Sequence, residues 1–113
     1  MSKINARQKG HAYERKVAQE MRDLGFEKCL TSRLESKRMD DAGVDLCYTD
    51  PFYIQLKATE NYPKFHHLLF EKMPQEDDKI NVVMNKKNRK GEIVVMSKED
   101  FYKIIELLNK ATL

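Results

Sequence analysis

Asp45, Gln55 and Lys57 are the residues of this chain whose types and spacing invite chemistry. They sit in the stretch GVDLCYTDPFYIQLKAT, Gly43 to Thr59, which otherwise alternates apolar and polar side chains. An acid, an amide and an amine inside two apolar strands have two readings. Asp45 and Lys57 can form a cross-strand salt bridge, which stabilises a sheet face by roughly 0.2–1 kcal/mol. Alternatively, two oxygen groups and an amine converge to hold a ligand.

The elements that must position them follow from pattern. Strands are predicted over Gly43–Thr49 and Phe52–Thr59, with Asp50-Pro51 at the turn, because proline cannot donate to a ladder. Side chains alternate faces along a strand. Burying Val44 and Leu46 beside Ile54 and Leu56 fixes the register, since a slip by one residue would expose half of that set. The same register places Asp45, Gln55 and Lys57 together on the opposite face. A helix is predicted over Lys9–Leu24 from the stripe Tyr13, Val17, Met21 and Leu24, with Gly25 as its stop. Glu14 lies at the edge of that stripe, so a helix packed on the patch brings it a second carboxylate.

The rest of the chain reads as Glu27–Arg33 strand, LESKRMDDAG loop, a short helix within YPKFHHLLFEKM, and an Ile80–Met84 strand. The basic turn NKKNRKG follows, then a Glu92–Met96 strand and a last helix capped by Ser97. The helix stripes are Phe65, Leu68 and Leu69 in the first case and Phe101, Ile104, Ile105 and Leu108 in the second. His66-His67 reads as surface and boundary histidine, because adjacent helical residues do not face each other. The expected order is α-β-β-β-α-β-β-α, a mixed sheet flanked by helices in one domain over residues 1–113.

Composition sets bounds. The 113 residues carry a net charge of +3, which permits a nucleic-acid partner without requiring one. No apolar run approaches the ~20 residues of a membrane span. Cys29 and Cys47 have no metal-type spacing and read as buried thiols of a reducing cytoplasm.

With these residues in order, the chain resembles the PD-(D/E)XK nuclease superfamily, nearest to archaeal and phage Holliday junction resolvases. The resemblance rests on KGHAYERKV, GVDL and IQLKAT, and covers about Lys9 to Lys87. It implies a restriction-endonuclease-like fold and a metal-dependent endonuclease that hydrolyses phosphodiesters, expected at four-way junctions. Restriction or repair nucleases on duplex DNA, or a non-catalytic DNA-binding module, are the alternatives. Carried over by position, Asp45 is the metal-binding acid, Gln55 stands at the second acid position, Lys57 is the catalytic lysine and Glu14 the helix acid. Gln55 departs from the usual Asp or Glu and removes one negative charge. Mg²⁺, with Mn²⁺ as substitute, would be held by Asp45, Gln55, the Leu56 backbone carbonyl and Glu14. DNA contacts are expected from Arg7, Lys9, Arg33, Lys37, Arg38, Lys86, Lys87, Arg89 and Lys90. A homodimer working on branched DNA in the cytoplasm of a bacterial, archaeal or phage-infected cell completes the expectation.

Overall fold

Helical spacing of four apolar positions makes the first element. Helix α1 (Ala6–Asp23) buries Tyr13, Val17, Ala18 and Met21, and Gly25 at φ +119 turns the chain after it. Leu24, predicted in that stripe, is exposed because the helix ends one residue earlier. These positions come from a computed structural model that describes residues 6–59, 66–87 and 89–112.

Strand β1 (Leu30–Thr31) is followed by two short helices, α2 (Ser32–Glu35) and α3 (Lys37–Asp41). Strands β2 (Leu46–Cys47) and β3 (Phe52–Thr59), helix α4 (His66–Lys72), strands β4 (Ile80–Lys87) and β5 (Gly91–Met96), and helix α5 (Lys98–Thr112) complete the order. The described residues therefore form a mixed α/β fold with two sheets. One is the antiparallel pair β1–β2 and the other has the order β3-β4-β5. Strands β3 and β4 run parallel, with α4 as their crossover, and β5 returns antiparallel at the edge.

The larger sheet has two unlike faces. Ile54 and Leu56 of β3, with Ile80 and Val82 of β4, pack against the α1 stripe together with Cys29 and Leu46. Each such buried side chain contributes about 1.5–3 kcal/mol. On the other face Val83 meets Val44 and Met73, edged by Met39, Tyr53, Leu69 and Phe70.

Several expectations are corrected. The Glu27–Arg33 and Gly43–Thr49 strands shrink to two residues each. The loop LESKRMDDAG folds into α2 and α3, because Ser36 caps α3 by accepting from the Met39 N–H. No β2–β3 ladder closes the expected hairpin among the described residues. Val44 and Leu46 also part company: Val44 joins the α4-face cluster and Leu46 the α1-face cluster. The terminal stripe divides, with Ile104 packed on the core and Phe101, Ile105 and Leu108 exposed. Phe65 of the other stripe lies outside the described residues.

Candidate functional site

Asp45 sits on the outer edge of β3, held by backbone bonds on both sides. Its N–H donates to the Ile54 carbonyl at 2.8 Å, and its own carbonyl accepts from Ser32 N–H at 2.8 Å. The carboxylate turns onto the same strand edge and accepts from Leu56 N–H at 2.7 Å. Burial pushes its pKa up to about 6. The Leu56 hydrogen bond opposes that rise, the Glu14 and Asp40 charges add to it, and Lys57 lowers it. The alternative of an Asp45–Lys57 salt bridge is not formed: the carboxylate accepts from the Leu56 amide, and Lys57 acts on it through space.

Glu14 reaches the same neighbourhood from α1, as the helix stripe requires. Arg33 lies 3.4 Å from its carboxylate, so this arginine, expected on DNA, instead faces the helix acid. The Gln55 amide packs near Gly43, whose φ of +79 disfavours any side chain there. Gln55 Oε1 is buried without a hydrogen-bond partner. Two carboxylates and an ammonium thus act on one another at this strand edge, while the Gln55 amide faces Gly43. The Leu56 carbonyl leaves the strand on the same side as its N–H, toward Asp45.

The basic residues divide. Lys9 and Lys86 line one hollow of about 440 Å³ together with Arg15 and Lys16, which the sequence reading passed over. Lys86 stands 5.9 Å from the Tyr13 ring centroid. Lys37 pairs loosely with Asp41, and Arg38 lines a different hollow beside Glu35 and Tyr48. Arg89 and Lys90 form the exposed tip between β4 and β5, with Arg89 at φ +63. Lys87 ends β4, and Arg7 is exposed in the first turn of α1.

Two polar residues were not anticipated as site members. Asn85 is fully buried on β4 and its Nδ2 lies 3.2 Å from His66 Nε2. The only signal was an asparagine directly after the apolar run of that strand.

Comparison with known proteins gives one result. A family model described as D12 class N6 adenine-specific DNA methyltransferase matches residues 2–113. No curated protein and no solved structure matches. The match overturns the nuclease expectation. The likeness to PD-(D/E)XK nucleases and junction resolvases lies in three short motifs, whereas the family match spans residues 2–113. The Mg²⁺-dependent endonuclease activity, phosphodiester hydrolysis and junction resolution fall with it.

Proposed function

The chain belongs to the D12 class N6 adenine-specific DNA methyltransferase family, and on that premise we propose that it is a DNA-binding domain that grips a backbone phosphate at the Glu14–Asp45–Gln55–Lys57 patch. The largely buried Asp45 carboxylate on the β3 edge, with the Glu14 and Lys57 charges acting on it, carries the reading. The unpartnered Gln55 Oε1 is an acceptor whose burial costs about 1–3 kcal/mol, so a bound cation or donor, and not a phosphate oxygen itself, would recover that loss.

A divalent cation fits this patch as a shared ligand. Among the described residues no group of three or more histidines, cysteines or acids is set to hold a metal. Mg²⁺ does not need one, because it binds through one or two carboxylates and keeps waters and phosphate oxygens as its other ligands. Asp45 and Glu14 would supply charge, and Gln55 and the Leu56 carbonyl neutral oxygens. Lys57 would meet the phosphate as a point charge. The lysines and arginines around Lys9 and Lys86 extend the contact along the backbone.

The family also implies a methyl donor, S-adenosylmethionine, which would supply an electrophilic methyl group. The described residues do not fit it. Parallel α/β sheets bind such nucleosides at a switch point between oppositely directed crossovers, and here β3–β4 is the one parallel pair described. In the hollow lined by Tyr48, Phe52 and Tyr53, the Glu35 carboxylate already accepts from Tyr48 at 2.6 Å and Asp50 pairs with Lys79 at 2.7 Å.

Two finer points belong to this reading. Two-fold pairing of the β5 edge and the exposed α5 residues is the geometry by which the chain would form a homodimer. A DNA partner also suits a cytoplasmic setting in which the buried free thiols Cys29 and Cys47 stay reduced.

The test is DNA binding by fluorescence anisotropy, on duplex and four-way-junction DNA, with Mg²⁺ or with chelator. Wild type is expected to bind more tightly with Mg²⁺, and Lys57→Ala to lose most of that gain. Equal affinity for the two DNAs would set branch recognition aside. With labelled S-adenosylmethionine added, methyl transfer to adenine would show that the chain does bind the donor, and strand scission would return it to the nucleases.

A further inference from the structure

We infer that His66 is a second phosphate-contacting residue of this DNA site and that Asn85 is the residue that positions it. The inference rests on the proposed phosphate grip at Lys57. Asn85 and Lys57 are directly paired in the parallel β3–β4 register, so their side chains leave the sheet on the same face. Gln55, two residues before Lys57, shares that face. Both flanking amides carry a buried oxygen with no partner, Gln55 Oε1 and Asn85 Oδ1. Those two oxygens can take only a donor or a cation, so the groups of this face able to meet an oxyanion are Lys57 and His66.

His66, the first residue of α4, closes the row. Its Nε2 is 3.2 Å from Asn85 Nδ2. With the amide as donor, Nε2 is the acceptor, so the neutral ring carries its proton on Nδ1. Nδ1 is then the remaining ring nitrogen, and it is a donor, as an anionic oxygen requires. His66 is half-buried while Asn85 is wholly enclosed. The asparagine thus acts from inside and the imidazole is the group a ligand can reach. The ligand class is a phosphate oxyanion of the DNA backbone, one nucleotide step away from the phosphate held by Lys57 or a second oxygen of the same one.

The experiment is a double-mutant cycle read by DNA anisotropy, with histidine ¹⁵N shifts of the free and DNA-bound protein. His66→Ala is expected to weaken binding roughly tenfold, the worth of a hydrogen bond to a charged group. His66→Gln, which keeps a donor, should recover most of that loss. Asn85→Ala should weaken binding by a similar factor in wild type and by almost nothing in the His66→Ala background. The free protein should show the Nδ1–H tautomer, with the Nδ1 resonance shifting on DNA addition. If His66→Ala binds as wild type while Lys57→Ala does not, this inference falls and the phosphate grip stands. If Lys57→Ala also binds as wild type, the grip itself falls. A His66→Ala loss that His66→Gln does not recover, with no Nδ1 shift, would show a purely structural histidine.

Discussion

The two faces of the β3-β4-β5 sheet use the same strands for opposite ends. The α1 face is a dry core in which every even-numbered position from Ile54 to Leu56 and Ile80 to Val82 is buried against a helix stripe. The α4 face begins as a small core around Val83 and then turns polar toward the ends of β3 and β4. There Gln55, Lys57 and Asn85 replace apolar side chains and two oxygens go without partners. Strand alternation alone makes this division possible, because one residue along the chain is one face across the sheet. Stability, and in the proposed reading ligand binding, are then carried by alternate residues of the same eight-residue strand.

That comparison breaks most visibly at Ile54. Ile54→Ala is expected to cost about 2–5 kcal/mol of stability, through lost burial and the cavity left behind, read as a lowered urea midpoint. A loss no larger than that of a surface substitution would show that the α1 face is not the main core.

Asp45→Asn should move stability the other way. Its folded pKa of about 6 lies above the unfolded value of 3.8, so the folded state binds the extra proton between those pH values. Stability from this group is therefore present at low pH and lost as pH rises through about 6. Removing the charge should stabilise the metal-free protein by about 2 kcal/mol at pH 7, on the order expected for a mostly buried carboxylate. It should also flatten the pH dependence between 4 and 6. Unchanged pH dependence of the urea midpoint in Asp45→Asn would mean that the carboxylate is not desolvated.

Gln55→Leu sharpens the contrast with its neighbour Ile54. Replacing an orphaned amide by an apolar side chain should leave stability equal or raise it by about 1 kcal/mol, while DNA affinity falls. A destabilised variant with full affinity would reverse the assignment of the two faces. The smallest effect is expected at the surface. Lys9→Ala with Lys86→Ala should leave stability within about 0.5 kcal/mol. The pair should flatten the salt dependence of DNA binding by roughly two counterions.

Much of this was legible in the sequence, and the misses have physical causes. The α1 stripe, the Ser97 cap and the β3 alternation all appear where local periodicity put them. Ser97 Oγ accepts from Asp100 N–H at 3.0 Å, as a cap should. The Asp100 carboxylate turns away from the cap: it accepts from Asn81 N–H at 3.0 Å and pairs with Lys103. That is a tertiary choice no local pattern records. Val44 and Leu46 were assigned one face because an ideal strand was assumed. The chain leaves Gly43 at φ +79 and passes Tyr48 at φ +64, so the segment between them is too short and bent to alternate cleanly. Asn85 was lost to a boundary: the strand was ended at Met84, which placed its most informative residue in a turn. Asp45 feels the charges of Glu14 and Lys57 at the strand edge where the pattern puts it. Their chemistry was misassigned, because three polar residues on a strand edge fix a place and a charge pattern but not a reaction.

The central claim, that a divalent cation and a DNA phosphate meet at Asp45, is tested most directly by Mn²⁺ relaxation enhancement of backbone amides. Mn²⁺ is added to the ¹⁵N-labelled protein with duplex DNA present and then with DNA absent. The account predicts strong broadening at Glu14, Asp45 and Leu56 that depends on DNA, since the two carboxylates alone are an incomplete site. Broadening centred elsewhere, or none at Asp45 under conditions where DNA is bound, would contradict it.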